Sequence, residues 1–280
     1  MDSKKLIVAA IQLVSSNQVR ENLNTVEKLV EKAVKQGAGL VVLPENFALM
    51  ASRSADLLKE SEVLGDGEIQ QFMTNIASDY NIWLVGGSIP IRSADEKKVF
   101  ASCLVYDTSG HRVAQYDKLH LYDVDIIETG ERYRESDTFV AGNNVVVIET
   151  PYGKMGLSIC YDLRFPELYR KLTSMGAEFI VAPSAFTEST GKDHWSLLCR
   201  ARAVENACFI IAPNQGGIHA NGRETYGHSM IVDPWGVVLA ESTKGPDIAV
   251  ATLDRPRQNK IRQNFPSIDH GRFTCNLKRK

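Results

Sequence analysis

The chain has 280 residues, of which 44% are hydrophobic and 24% are charged, and its formal net charge is −2. This is the composition of an ordinary globular protein, and the chain is long enough to bury a large core without disulfides or a structural metal. The even charge balance argues against a nucleic-acid or anionic-membrane partner, since the one run of like charge is the tail at residues 278–280, which we interpret as solvated.

Hydrophobic periodicity predicts strands and helices that alternate along the first half of the chain. Strands are predicted at residues 6–11, 40–43, 83–86, 99–107 and 112–116, and helices at residues 22–36 and 68–80. Residues 117–142 are polar and have few periodic apolar positions. Such a stretch predicts a long functional loop with a short helix in it.

The second half continues the same alternation. Strands are predicted at residues 145–148, 154–160, 179–182, 209–212, 226–232, 236–241 and 248–253, and helices from Pro166, at residues 195–208 and after Pro256. No linker, repeat or low-complexity stretch divides the chain. We therefore expect one α/β domain over residues 1–280, with two sheets packed face to face and helices outside them.

The cysteines and the N-terminus predict a reducing location. The number of cysteines is odd and no CxxC pair occurs, which argues against a secreted disulfide framework. The apolar run at residues 6–14 is too short for a membrane span and lacks the layout of a signal peptide. We expect a cytoplasmic protein with no membrane partner.

Cys160 is the first candidate for chemistry. Small and apolar residues lead up to it, a short turn follows, and Pro166 suits the first turn of a helix. A strand-to-helix elbow exposes its side chain and points the next backbone N–H, that of Tyr161, at an incoming carbonyl oxygen. Since most cysteines are buried structural residues, the elbow favours a nucleophile without settling it. We interpret the other four as structural: Cys103, Cys199, Cys208 and Cys275.

Glu45 and Lys118 are weaker candidates. Glu45 follows the apolar strand at residues 40–43, where it can act as a general base, although a helix cap or a salt bridge is as good an interpretation. Lys118 follows another strand and can hold positive charge beside an oxyanion, but most lysines are merely solvated. The six histidines form no metal-binding pattern such as HExxH. We therefore expect neither a metal nor a cofactor.

Together these residues resemble the nitrilase, or carbon–nitrogen hydrolase, superfamily, which uses a Glu-Lys-Cys triad in this chain order. The resemblance runs over about residues 6–273 and implies a four-layer αββα sandwich, a homodimer, and Glu45, Lys118 and Cys160 as catalytic residues. A non-catalytic scaffold of the same fold would be expected to have lost a triad member. The matching segments are residues 43–45, 116–121, 159–167, 182–186, 200–206, 226–229 and 233–236.

The resemblance also implies a second glutamate in the loop after the lysine. The triplet at residues 134–136 matches this position and makes Glu135 the first choice. Residues 126–133 make the loop slightly longer than in relatives, so Glu131 and Glu128 stay open as alternatives.

The segments at residues 184–187, 190–195 and 222–229 resemble the branch of deaminated-glutathione amidases and omega-amidases, and the last favours the former. This implies hydrolysis of a small amide carrying a carboxylate, through a thioester on Cys160. Deaminated glutathione is the first choice, α-ketoglutaramate the alternative, and a nitrile or carbamoyl substrate the third. Arg164 would bind the carboxylate, unless it only braces the turn by pairing with Asp162 or Glu167. Phe186 and Thr190 would line the pocket beside Tyr161.

Overall fold

The computed structural model describes residues 6–127 and 130–274, so that Glu128, Cys275 and the tail at residues 278–280 lie outside the described residues. The helices are α1 (Val19–Lys35), α2 (Ser54–Lys59), α3 (Glu68–Asp79), α4 (Pro166–Ser174), α5 (Glu188–Asn206) and α6 (Arg255–Asn264). The strands are β1 (Leu6–Gln12), β2 (Leu40–Val42), β3 (Trp83–Val85), β4 (Ile89–Arg92), β5 (Val99–Tyr106), β6 (Arg112–Asp117), β7 (Asp123–Ile126), β8 (Glu131–Arg134), β9 (Val147–Thr150), β10 (Gly153–Leu157), β11 (Phe179–Val181), β12 (Phe209–Ala212), β13 (Gly216–Ile218), β14 (Glu224–Tyr226), β15 (Met230–Val232), β16 (Val238–Glu241) and β17 (Asp247–Leu253).

Thirteen of these strands form two mixed sheets. The first has the order β17-β1-β2-β3-β5-β4 with β6 paired to β5, and the second has the order β16-β15-β12-β11-β10-β9. The centre of each sheet is parallel, through β1, β2 and β3 in one and β10, β11 and β12 in the other. Parallel neighbours need crossover connections, which here place α1, α4 and α5 among the covering helices.

The buried side chains divide into three layers, which fixes the architecture. Along β1, Val8 and Ala10 belong to the cluster shared by the two sheets, while Ala9 and Ile11 belong to the cluster under α1 and α3. This alternation is the two-residue period of a strand buried on both faces. A third cluster joins the second sheet to α4 and α5, with Trp195 fully buried in it. The predicted αββα sandwich is confirmed.

The short helix predicted within residues 117–142 is present as a 3₁₀ turn at Glu135–Asp137. The segment also contains the hairpin β7–β8, which the sequence analysis does not predict. The Arg134 guanidinium stabilises the hairpin by donating to the Val124 carbonyl at 3.0 Å and to the Asp125 carboxylate at 2.6 Å. Strand β7 reads Asp-Val-Asp-Ile and alternates over only four residues, and β8 reads Glu-Arg-Tyr-Arg with a single apolar ring, so the strand pattern is too short to stand out in the sequence.

Two further boundaries differ from the prediction. Helix α5 begins at Glu188, ahead of the predicted start at Trp195, because the Thr187 side chain caps it and its first turns are polar. The strand predicted at residues 226–232 is broken into β14 and β15, because Gly227 and His228 have positive φ of 76° and 56°. The short elements α2, β4 and β13 are not predicted at all.

Gly87 holds the backbone beside Glu45 by close approach. It has a φ of 47°, and a Cβ at this position would overlap the carbonyl oxygen of Pro44. Gly65 also has positive φ, at 95°, but nothing lies within 4 Å of its would-be Cβ. The two glycines therefore share a backbone preference and differ in packing.

We predict that Gly87→Ala lowers the free energy of unfolding by roughly 2–4 kcal/mol, the left-handed backbone cost plus overpacking. Gly65→Ala should lose only about 1–2 kcal/mol, the backbone cost alone. Urea denaturation of both variants measures the difference. Equal losses would contradict the close approach to Pro44.

Candidate active site

Lys118 is a buried lysine between two carboxylates. Its side chain is 1% exposed, and its ammonium donates to Oε1 of Glu45 at 2.8 Å and to both carboxylate oxygens of Glu135 at 3.0 and 2.8 Å. Burial alone would lower the pKa of Lys118, but attraction to Glu135 and Glu45 outweighs burial and raises the pKa well above its ordinary value. The ammonium is therefore a fixed positive charge.

Hydrogen bonds to the backbone of Glu45 and of the next residue fix the position of this glutamate. It lies just beyond β2, and its side chain is buried. The Gln215 side-chain amide donates to the Glu45 carbonyl oxygen at 3.0 Å, and the Asn46 N–H donates to the Ser88 hydroxyl at 3.0 Å. Asn46 has a left-handed φ of 57°. These contacts fix the direction in which the Glu45 carboxylate leaves the strand.

The second carboxylate on Lys118 belongs to Glu135. Its Oε2 also accepts the Tyr122 N–H at 2.8 Å, which ties the 3₁₀ turn back to the start of the hairpin. Glu131 instead accepts from the Tyr133 hydroxyl and from the Ser189 hydroxyl, each at 2.9 Å. The geometry therefore brings Glu135, and not Glu131, to the lysine.

Cys160 lies at a sharp turn after β10. It begins the 3₁₀ turn Cys160–Arg164, has a φ of 47°, and donates its N–H to the Pro183 carbonyl at 2.8 Å. Burial raises the pKa of its thiol well above the usual range, the Glu45 carboxylate raises it further, and Lys118 opposes the shift. These effects favour a neutral thiol at rest, so attack requires a base.

Asp162 connects the cysteine turn to the lysine segment. Its fully buried carboxylate accepts the Ile159 N–H at 2.8 Å, the Tyr116 hydroxyl at 2.6 Å and the His120 N–H at 3.1 Å, and it lies 2.6 Å from Nδ1 of His120. From the sequence, Asp162 is expected only as a partner of Arg164. An acidic residue inside the first turn after the cysteine, at a capping-box position, is the signal that marks this second role.

Seven of the eight site residues predicted from the sequence line one cavity, and Lys118 lies against it through Glu45 and Glu135. Four further lining residues are absent from the sequence prediction: Tyr122, Ala185, Thr187 and Arg223. The full lining is Glu45, Tyr122, Glu135, Cys160, Tyr161, Arg164, Ala185, Phe186, Thr187, Thr190 and Arg223.

Arg164 faces the cavity and does not brace the turn through an acidic neighbour. Its guanidinium lies 5.2 Å from the Phe186 ring centroid, and its Nη1 lies 3.3 Å from Nδ1 of His194. Within the described residues it forms no ion pair with Asp162 or Glu167, and the Asp162 carboxylate is engaged elsewhere. The Arg164 guanidinium therefore has donors available to an anion.

The other cysteines are buried in the core. Cys103 belongs to the cluster between the sheets, and Cys199 and Cys208 to the cluster under α4 and α5. Burial raises the pKa of all three thiols, that of Cys208 to about 12. In the described part of the chain no group of three or more His, Cys, Asp or Glu side chains could hold a metal ion.

Known proteins resemble this chain over most of its length. The family model described as carbon–nitrogen hydrolase matches residues 7–263. A deaminated glutathione amidase from Synechocystis sp. is 41% identical over 273 residues, which cover 96% of this chain and 99% of that protein. A deaminated glutathione amidase from Mus musculus is 40% identical over 269 residues, covering 95% and 83% of the two chains.

Solved structures agree with this assignment. The C. elegans NitFhit protein superposes with a TM-score of 0.92 at 34% identity, covering 100% of this chain and 69% of its own. A member of branch 10 of the nitrilase superfamily from Saccharomyces cerevisiae gives 0.86 at 34% identity, covering 96% and 97%. An amidase mutant from Nesterenkonia sp. AN1, with acrylamide added at its active-site cysteine, gives 0.77 at 25% identity, covering 93% and 99%. By sequence and by fold, the chain belongs to the carbon–nitrogen hydrolase family of the nitrilase superfamily.

Proposed function

We propose that this carbon–nitrogen hydrolase cleaves an amide through a thioester on Cys160, with Glu45 as the proton carrier and Lys118 as the fixed cation. One observation carries the proposal: the Lys118 ammonium lies between the carboxylates of Glu45 and Glu135, beside a thiol that Glu45 can deprotonate. Neither a metal nor a cofactor is needed in this scheme.

The first half-reaction forms the thioester. Glu45 takes the thiol proton as the sulfur attacks the amide carbonyl, and the oxyanion is stabilised by Lys118 and the Tyr161 N–H. That N–H lies in the first turn after Cys160, where a helix start leaves amides without intrahelical partners. Each such donor is worth about 3 kcal/mol. Glu45 then passes its proton to the nitrogen as the C–N bond breaks, which releases the amine.

The second half-reaction hydrolyses the thioester. Glu45 removes a proton from water, the hydroxide adds to the thioester carbonyl, and the same donors hold the second oxyanion. Collapse expels the Cys160 sulfur, which recovers its proton from Glu45, and the carboxylic acid leaves. Glu135 keeps Lys118 charged and in place throughout.

The substrate we propose is deaminated glutathione, with α-ketoglutaramate as the alternative and a nitrile or carbamoyl compound as the third. The names of the relatives from Synechocystis sp. and Mus musculus support the first choice. The Arg164 guanidinium supports an acyl group that carries a carboxylate, since its planar fork matches carboxylate oxygens. Phe186 and Thr190 would flank the acyl chain.

We further propose a homodimer. An exposed apolar face supports the dimer, since such faces commonly mark protein contacts, and sedimentation velocity tests it. The face comprises Leu197, Val204, Trp235, Val237 and Phe265, which are between 47% and 65% exposed.

We also propose a location in the cytoplasm. The free thiols of Cys103, Cys160, Cys199 and Cys208 are typical of a reducing compartment, and imaging of a tagged chain tests the location. In the described part of the chain, no helix is long and apolar enough to span a bilayer.

The nucleophile is tested by trapping the intermediate. Wild-type protein quenched during turnover of deaminated glutathione should show an acyl adduct by intact mass, and peptide mapping should place it on Cys160. Cys160→Ala should form no adduct and show no turnover, while Cys208→Ala should retain both. An adduct on Cys103 or Cys208 would contradict the assignment of Cys160 as the nucleophile.

The role of Glu135 is tested against its neighbour. Glu135→Gln replaces one acceptor of the Lys118 ammonium with a donor and removes a charge, so kcat should fall by at least about 100-fold. Glu131→Gln makes the same substitution in the neighbouring strand β8, away from the lysine, and should lower kcat far less. If Glu131→Gln is the more damaging change, the second glutamate has been misassigned.

The role of Arg164 is tested by selectivity. Arg164→Lys keeps the charge and loses the fork, so kcat/KM on deaminated glutathione should fall by roughly 10- to 100-fold. The loss should be much smaller on an amide without a carboxylate in its acyl group. Equal losses on the two substrates would mean that Arg164 supports the turn and that the carboxylate is bound elsewhere.

A further inference from the structure

We propose that a groove adjoining the thiol cavity binds the amine that leaves, and that Arg223 in its wall selects an amine bearing a carboxylate, such as the free end of a short peptide. This inference rests on the proposed function and extends it from the acyl group to the leaving group.

The groove begins at the catalytic carboxylates and runs away from the sulfur. It shares Glu45, Tyr122, Glu135 and Arg223 with the thiol cavity, whereas Cys160 does not line it. Its volume is about 230 Å³. On the same measure a cavity needs about 10–15 Å³ to hold one water molecule, so the groove is far larger than ammonia requires.

The reaction chemistry indicates which part of the substrate enters the groove. The acyl group stays on the Cys160 sulfur, and the nitrogen that leaves must lie within reach of Glu45, which gives it a proton. Glu45, as one of the residues shared by the two spaces, reaches the nitrogen where the thiol cavity and the groove meet. A substituent on that nitrogen therefore extends from Glu45 into the groove.

Arg223 lines the groove with a guanidinium that is only partly hydrogen-bonded. Its Nη2 donates to the Ala185 carbonyl at 2.6 Å, and it forms no ion pair among the described residues. The other arginines of the groove are engaged, Arg53 with Asp56 at 3.0 Å and Arg134 with the Asp125 carboxylate. A guanidinium without an anionic partner favours a carboxylate beside it.

The position of Arg223 is fixed before any ligand arrives. Its N–H donates to the Asn221 side-chain oxygen at 3.0 Å and its carbonyl accepts the His219 N–H at 2.9 Å. The Asn221 amide reaches the Ala51 carbonyl at 3.0 Å, and the guanidinium carbon lies 5.5 Å from the Tyr133 ring centroid. A held guanidinium loses little freedom on binding, which favours selectivity for a carboxylate.

The experiment uses three amides that share the 2-oxoglutaryl acyl group linked at carbon 5. Their amines are ammonia, glycylglycine with a free carboxylate, and glycylglycine carboxamide. Wild type should cleave the peptide acid with a kcat/KM at least about 10-fold above that of the peptide carboxamide, the effect of one charged hydrogen bond. Arg223→Met should erase this preference, and Arg223→Lys should retain part of it.

The ratio of the two peptide substrates is internal to each variant, so partial loss of folded enzyme cancels. Arg132→Met removes an exposed arginine of the hairpin β7–β8 that lines neither space and should keep the wild-type ratio. A preference that persists in Arg223→Met, or that is lost equally in Arg132→Met, overturns the assignment. Cleavage of the ammonia amide alone by wild type overturns the groove and leaves the proposed function standing.

If wild type cleaves none of the three, the proposed acyl specificity fails, and binding then decides the groove. Calorimetric titration of free glycylglycine into Cys160→Ala should give a Kd at least about 10-fold lower than into Cys160→Ala combined with Arg223→Met. Equal or absent binding overturns the groove as well.

Discussion

The charged state of Lys118 inside the protein is the constraint on which the site depends. An isolated buried ammonium costs several kcal/mol, and here two carboxylates offset that cost. With the thiol neutral, Glu45, Glu135 and Lys118 together carry one negative charge. In the proposed attack the thiol proton moves to Glu45 while a negative charge develops on the substrate oxygen, so the total charge of the three side chains, the sulfur and the substrate does not change. The Lys118 N–H that Glu45 no longer needs is then available to the oxyanion.

Such a cluster requires segments that are far apart in the chain to be positioned accurately relative to one another. Glu45 follows a strand of the first sheet, and Cys160 follows a strand of the second. The buried layer between the sheets sets their separation, and close packing makes that separation stiff. Asp162 then ties the cysteine turn to His120, two residues beyond Lys118. The two packed sheets thus set the approximate distance between Glu45 and Cys160. The buried Asp162 carboxylate then fixes the position of the cysteine turn relative to the Lys118 segment.

Residues whose roles follow from local chain geometry could be predicted from the sequence. Cys160 is followed by a turn and by Pro166 at a helix start, and Glu45 directly follows an apolar strand. A catalytic role for Lys118 followed only from the family resemblance. The resemblance made Glu135 the first choice but left Glu131 open, because spacing does not tell which glutamate side chain of a charged segment turns back to the lysine. Arg223 was missed because its surroundings, Ala185 and Tyr133, come together only in three dimensions.

The neutral resting state of Cys160 also bears on survival of the enzyme under oxidative stress. Peroxides react with thiolates far faster than with thiols, and here burial and the adjacent Glu45 disfavour the thiolate. In the proposed mechanism sulfur becomes strongly nucleophilic only while a carbonyl group is present to be attacked. The same electrostatics that make Glu45 necessary during turnover therefore slow oxidation of the sulfur between turnovers.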